Sequence, residues 1–579
     1  MFQRLRRWLV ARVPPAAHPA LSAMFHRETA LQRSLSNRVA GMRVARSGRR
    51  IPGQGAVWSP DVVRAVQTGL GPLLASTVDR FNASQVLDDS LALVVDALEG
   101  AQVPYAVLEA GVMRRRVVIV DGDHGEQARE AVRQRYPADA VYVSVVAGGR
   151  SVGAPVLAAD MFRHARLRKA GVLRIFRVLA AGAVVLGSDD LGCDLELWPL
   201  VESEGVPRAD GGRHLVGTAL APRPNRRASY LTPSRRQPVT AVVGPRTVTT
   251  YEGLLRPHVF DVDFPVDVVY TWVDGSDPAW TARKEAAWTG AGPGDRNDFS
   301  ANAGRFLSHD ELRFSLRSLE MYADWVRTVY IVTDDQVPSW LNRDNPRVRL
   351  VSHRELFGQT GVLPTFNSHA IESRLHHLPG LAEHYLYLND DVLFGRPVVP
   401  ELFFHGNGTT KFFLSKRVVD LDGPSARDLP VVSAAKNNRT LIEHAFESTL
   451  THRLQHVAHP LRRSLIEELE ARFPAEFART AASQFRSPED ISVSAFLAHY
   501  YGYLRGQALP DTLEYRYCDI AGPTAQIKLQ RLLRGRDADV FCLNEVDSST
   551  MDARAQQRIL DGFLDAYFPV PSQFENDTV

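Results

Sequence analysis

The stretch TFNSHAIESRLHHLPGLAEHYLYLNDDVLFG, Thr365 to Gly395, decides how the rest of the chain is read. Tyr385 to Leu388 are unbroken aromatic and aliphatic residues, a composition that predicts a buried strand. The run stops at Asn389, Asp390 and Asp391 and resumes as an apolar VLFG. A strand ending in an amide and two acids carries polar groups at its C-terminal tip, where ligands sit in open α/β sheets. Adjacent carboxylates repel unless a cation, a proton or solvent intervenes. Oxygen donors of this kind suit Mg²⁺ or Mn²⁺, hard ions that often accompany phosphate. Asn389, Asp390 and Asp391 are therefore the candidate metal ligands. An Asn-Asp run also forms plain solvated turns, so the neighbouring motifs have to decide.

Those neighbours repeat the pattern. PVDVVYTWVDGSDPAW predicts a buried strand, Val266 to Val273, that breaks at Asp274-Gly275-Ser276-Asp277-Pro278. As a first strand of an α/β sheet it would meet a nucleotide base or ribose through Asp274 and Asp277, with Trp272 stacking there or packed in the core. A Gly-rich polar segment over 285–304 reads as a mobile loop. In RFLSHDELRFSLRSLEMYADWVRTVYIVTDD, Leu312, Leu316 and Leu319 fall at helical spacing and face a core. Arg313 and Arg317 share a face of that helix and are candidates to hold a diphosphate, or else to face solvent. The following strand again ends in acids, Asp334 and Asp335. Beyond Gly395 come a strand-like KFFLSKR and a mainly helical region from Lys436 to about Arg505. His456 and His459 precede Pro460, which suits a first helical turn, so both imidazoles are expected near a helix start. Arg486 stands just before Ser487-Pro488-Glu489-Asp490, which also reads as a helix opening. Last, ADVFCLNEVD predicts a strand running into Asn544, Glu545 and Asp547 ahead of a terminal helix. Strands alternating with helices predict an α/β fold: a Rossmann-like mixed sheet over 261–579, with a helical insertion at about 436–505.

At 579 residues the chain exceeds one ordinary core. A smaller accessory α/β module is expected over 86–260, where SLALVVDALEGAQVPYAVLEA, VVIVDGD, EQAREAVRQRY and AVYVSVV alternate helix and strand patterns. Residues 1–85 are arginine-rich, with Pro and Gly punctuation, and read as a loosely structured basic lead-in. That lead-in could rest on an anionic membrane surface or serve as a disordered arm. No segment supplies the roughly 20 uninterrupted apolar residues of a membrane span. The formal net charge of +2 gives no argument for nucleic acid. Cys193, Cys518 and Cys542 are too few and scattered for a disulfide framework or zinc site and fit a reducing, cytoplasmic setting.

Four stretches taken together resemble the Stealth protein family: DVVYTWVDGSDP; the run from DELRFSLRSLEMYADWVRTVYIVTDDQVPSWL through LPTFNSHAIESRLHHLPGL to YLNDDVLFG; HPLRRSLIEELEARFP with FRSPEDIS; and CLNEVD with FPVPSQFE. They stand in the family's order and span over half the chain. Stealth members are sugar-phosphate transferases of bacterial capsule and exopolysaccharide synthesis, together with the animal N-acetylglucosamine-1-phosphotransferase. The resemblance implies transfer of hexose-1-phosphate, N-acetylated or not, from a nucleoside diphosphate sugar (UDP-linked by expectation) to a glycan hydroxyl on an acceptor polysaccharide. It puts functional weight on Glu372, Asp390, Asp391, His456, His459 and Arg486. One carboxylate of the Asp390–Asp391 pair would hold the cation; the other, or His459, would take the acceptor's proton. Arg486 would meet phosphate charge. Glu372 would bind a sugar hydroxyl, ligate metal or orient a histidine, and Asn367 would bind substrate. Asp274 stands where relatives often have Asn, and Glu545 where many have Asp, which puts a site role for Glu545 in doubt. A metal-dependent glycosyltransferase that releases a nucleoside diphosphate and an inactive glycan-binding scaffold are the competing readings.

Overall fold

A computed structural model describes residues 63–208, 211–290, 309–425, 427–545 and 553–576. The expected loop at 285–304 falls largely outside them, as do Asp547 and residues 1–62 of the basic lead-in.

Five strands form the sheet that positions the site. Their order is Val348–Ser352, Val329–Thr333, Val266–Thr271, His384–Asn389, His459–Arg462. The first four run parallel and the last is antiparallel. Residues of the two central strands are apolar and buried on both faces, as a sheet covered on both sides requires. Register places Thr271 opposite Asn389, so the acidic tips come out side by side along one edge. The helix Glu311–Tyr322 covers one face with Leu312, Leu316 and Leu319 buried, and Ser315 Oγ lies 2.8 Å from Tyr270 Oη. At the other end of the strands Asp267 is fully buried. It is held by Arg327 at 2.8 and 2.6 Å and by the Ala382 amide at 2.7 Å.

A second, three-stranded sheet places the C-terminal segment beside Asp391. Val392–Phe394 pairs antiparallel with Val540–Asn544, which pairs parallel with Tyr515–Asp519. Helices Pro430–Phe446, Arg463–Arg472, Pro474–Ala482 and Ala498–Leu504 cover the remaining face. There Tyr385, Tyr387 and Leu461 of the sheet share a core with Leu465, Ile466, Ile491 and Tyr501. The chain is thus mixed α/β, with one of these helices between the fourth and last strands of the main sheet and three following the last.

Before residue 260 a six-stranded mixed sheet packs the helices Ala83–Gly100 and Gly125–Arg135. The first helix is capped by Asn82, whose side chain accepts from the amides of Ser84 and Gln85. Residues 63–77 form a hairpin, Val63–Thr68 against Gly71–Thr77, where sequence alone predicted loose chain. Phe81 and Leu87 share a core with Tyr322 and Phe568, and Arg114 pairs with Glu401 at 3.0 Å.

One expected pair of substrate contacts is corrected here. Arg313 and Arg317 do not point at the strand tips or at solvent: both bind Glu575, through Nε at 2.5 and 2.7 Å, and Arg317 Nη2 adds a third bond at 2.7 Å. They pin the C-terminal tail to the helix beneath the sheet. Burial alone would raise the Glu575 pKa, but bonds from Arg317, the Ser572 amide and Arg313 pull it below the ordinary glutamate value. A depressed carboxylate contributes stability above its unfolded pKa of about 4.3 and loses it as pH falls through the lower folded value. Glu575→Gln should therefore cost about 3–5 kcal/mol at neutral pH. Urea unfolding across pH 2–7 should show the gap to the parent closing in acid.

Candidate active site

The tip of the central strand and two distant segments meet at Asp391. Its carboxylate accepts from His456 Nε2 at 3.3 Å, Asn544 Nδ2 at 3.0 Å and Cys542 Sγ at 3.3 Å. Burial disfavours the charge, but His456 and these donors outweigh it and lower the Asp391 pKa. The Cys542 thiol is pushed well up by burial and by the Asp391 charge, so it stays protonated and donates. His456 is itself raised: burial opposes the charged ring, and Asp391, with help from Glu372, overcomes it. Its side chain is 36% exposed, which leaves this edge of the site open.

Glu372 ends the short helix Ser368–Glu372, shorter than the sequence suggested. Burial raises its pKa against the opposing charges of His369, Arg486 and His456. Arg486 is half-buried; the charges of Glu372, Tyr387 and Asp490 offset part of its desolvation, and Nη2 donates to Ser368 Oγ at 2.7 Å. Arg486 lies in a turn, since Ser487–Asp490 does not open a helix; a π-helical turn begins only at Val493. Asp391, His456, Glu372 and Arg486 thus form one chain of alternating charge beside the sheet edge.

On the other side of Asp391 the charge is unbalanced. Asp390 is raised well above the carboxylate range by burial, Glu311 and Asp391, and Glu311 is pushed up to about 8 by burial, the charge of Asp391 adding to it. Glu311 accepts from the His309 amide at 2.6 Å, and His309 Nε2 lies 3.1 Å from Glu545 Oε2. Three crowded carboxyl groups suit a hard divalent cation. The Asp391–His456–Cys542 group also brings three donor atoms within 4.8 Å, but a protonated thiol is a poor partner for Mg²⁺. Sequence reading missed both Glu311 and Cys542. Glu311 looked like an ordinary first-turn acid, and nothing local marks Cys542.

Other expected residues take different places. His459 begins a strand rather than a helix, and Pro460 pairs opposite Leu386 on the sheet's last strand, an edge position proline tolerates. The ring is buried, stacked on Tyr387 at 6.4 Å and 5.4 Å from His499. Burial, with His499 and His456 nearby, drives its pKa well down, so it is a neutral ring behind the site. Asn367 is 0% exposed and cannot touch substrate. Its Nδ2 instead donates to Ser483 O, Phe485 O and Asp490 Oδ2 at 3.1, 3.2 and 2.8 Å. Trp272 packs into the core. Asp274 closes its own turn on Ser276. Asp277 does reach open space, lining a cavity of about 290 Å³ at the strand tips with Arg283, Asp334, Asp335, Gln336 and Arg354.

Sequence comparison gives the class of protein to which this site belongs. The Stealth protein conserved regions 1, 2, 3 and 4 match residues 264–287, 305–412, 455–503 and 530–578. An exopolysaccharide phosphotransferase of Streptomyces coelicolor is 40% identical over 584 residues, covering 99% of this chain and 95% of the relative. The exopolysaccharide phosphotransferase CpsY of Mycobacterium tuberculosis is 40% identical over 327 residues, 56% of this chain and 61% of its own. The chain belongs to the Stealth family and is an enzyme of the transferase class. Among solved structures, the galactosyltransferase LgtC with donor and acceptor sugar analogues aligns with 51% of the chain at 12% identity and a TM-score of 0.27, a likeness too slight to carry a conclusion.

Asn367 holds the segment that carries Arg486. Asn367→Ala should cost about 2–3 kcal/mol, since it leaves buried acceptors unsatisfied. Hydrogen exchange over 483–490 should speed up in the variant. Unchanged protection there would mean that the loop is held by other contacts.

Proposed function

We propose that the chain transfers hexose-1-phosphate, in plain or N-acetylated form, from a nucleoside diphosphate sugar to a hydroxyl of an acceptor polysaccharide, at the cytoplasmic face of exopolysaccharide or capsule assembly. The observation that carries this reading is the set of charges gathered around His456: Asp391 at 3.3 Å, with Glu372 and Arg486 near enough to act on it electrostatically. Such a set suits phosphoryl transfer, which demands positioning and charge neutralisation more than covalent chemistry. Among the described residues no helix is long and apolar enough to cross a membrane.

In this scheme the acceptor oxygen attacks the phosphorus that bears the sugar. A new P–O bond forms, the bond to the nucleotide's bridging oxygen breaks, and nucleoside monophosphate departs. His456, oriented through Nε2 by Asp391, takes the acceptor's proton on its other nitrogen. Arg486 meets the charge on the phosphoryl oxygens, and Glu372 holds Arg486 and His456 in a common field. Asp390 and Asp391 would hold Mg²⁺ or Mn²⁺, with Asn389 at their side; such an ion supplies charge neutralisation on the diphosphate. The cavity at Asp277, Asp334 and Asp335 offers carboxylate acceptors for ribose hydroxyls, and UDP is the nucleotide of first choice.

Incubation with a panel of nucleotide sugars, divalent metal and acceptor glycan, followed by ³¹P NMR, should show a phosphodiester together with nucleoside monophosphate. Release of nucleoside diphosphate and a glycoside would instead make the enzyme an ordinary glycosyltransferase. His456→Gln should lower kcat on the order of 10²- to 10⁴-fold with the fold intact. A variant of full activity would remove His456 from the proton's path.

A further inference from the structure

Away from the strand edge, two histidines and a glutamate converge on the helical side of the molecule. Leu375–His377 is a single 3₁₀ turn that follows Glu372 in the chain, and Glu470 lies on the helix Arg463–Arg472 packed against it. Consecutive residues rarely aim side chains at the same point, yet here the rings stand 4.0 Å apart between centroids. His376 Nε2 and His377 Nε2 lie 2.7 and 2.8 Å from the same atom, Glu470 Oε2. The three donor atoms all fall within 4.8 Å of one another. Arg374 Nη1 binds the other oxygen, Glu470 Oε1, which orients the carboxylate and leaves Oε2 turned toward the rings.

We propose that His376, His377 and Glu470 form a second metal site, one for a borderline transition ion such as Zn²⁺ or Ni²⁺. Two imidazoles and a carboxylate are the donor set such ions take, with ligand bonds of about 2.0–2.2 Å. A tetrahedral ion needs ligand atoms about 3.3–3.5 Å apart by that bond length. The present contacts would open by roughly half an ångström, and each neutral ring, to ligate through Nε2, would carry its proton on Nδ1 instead. The His377 side chain is 40% exposed, which provides an entry path and leaves room for water in the fourth position. The Arg374 charge close by works against a cation, so the affinity belongs in the micromolar range rather than that of a closed structural zinc. His376 Nδ1 is buried without a partner, so the proton it would carry in the metal-bound tautomer lacks an acceptor and lowers the affinity further. Because the turn continues directly from the helix that ends in Glu372, occupancy would tie that segment to the Arg463–Arg472 helix.

The test is isothermal titration of the full-length, chelator-stripped protein with ZnCl₂, comparing the parent with His377→Ala and His456→Ala. The parent and His456→Ala should share one equivalent that His377→Ala lacks or binds at least tenfold more weakly. Saturating Zn²⁺ should raise the melting temperature of the parent and leave that of His377→Ala unmoved. If His377→Ala takes up the same number of equivalents with the same affinity, the proposal is overturned, and the three residues are a hydrogen-bonded brace only. Should that variant fail to fold, Glu470→Gln, which keeps an acceptor for the rings but is a far weaker ligand, gives the same two outcomes. Neither result depends on the enzyme's activity or on the assignment of His456.

Discussion

A buried carboxylate can remain ionised only where donors and positive charge replace the water it has lost, and Asp391 meets that demand with three groups from two other parts of the chain. His456 arrives from the segment ahead of the last strand of the main sheet, and Cys542 and Asn544 from the C-terminal strand. The backbone takes part too, since the Leu543 amide donates to Asp391 O at 3.0 Å. None of these segments is near Asp391 in sequence. Desolvating that one acid therefore obliges the three-stranded sheet to close against the end of the five-stranded one. The site and the tertiary fold are fixed by the same set of bonds.

The remaining buried charges serve the scaffold on which this closure depends. Arg327 and the Ala382 amide satisfy Asp267 at the start of the first sheet strand. Glu575 joins the C-terminal tail to the helix under the sheet through Arg313 and Arg317. Pairs like these add little net stability over an apolar packing of equal volume, but they penalise any arrangement that leaves one partner unpaired. Their value lies in register. The tail that contains Glu575 belongs to the same C-terminal portion as Cys542 and Asn544, so a fixed tail helps to fix the donors at Asp391.

Much of this was legible from pattern. The apolar runs ending in acids at Thr271, Thr333 and Asn389 are the parallel strands, and their shared polarity announces a common edge. Partners separated by hundreds of residues were not legible. Arg313 and Arg317 at helical spacing suit a phosphate as well as a glutamate, and only the fold brings Glu575 to them. His459-Pro460 was misread because proline fits a first helical turn and an edge strand equally well, and a four-residue strand has too little period to decide between them. Asn367 looked like a polar residue bound for ligand, yet its amide is consumed by backbone carbonyls of the Arg486 segment. Short polar side chains are interchangeable in sequence between those two uses.

The two neighbouring acids also acquire opposite characters from the same physics. Asp391 faces a raised imidazole and two further donors and is pulled down, whereas Asp390 faces Glu311 and Asp391 itself and is pushed up. Like charges this close cannot all ionise in a buried setting without a counter-ion. Either a proton is shared between Asp390 and Glu311 or a cation enters. A pair of adjacent aspartates thus divides into one acid that organises the histidine and one whose charge waits on a cation. That division arises because both lie in the turn between Asn389 and Val392, where Asp390 feels the Glu311 charge and Asp391 meets the donors of the C-terminal strand.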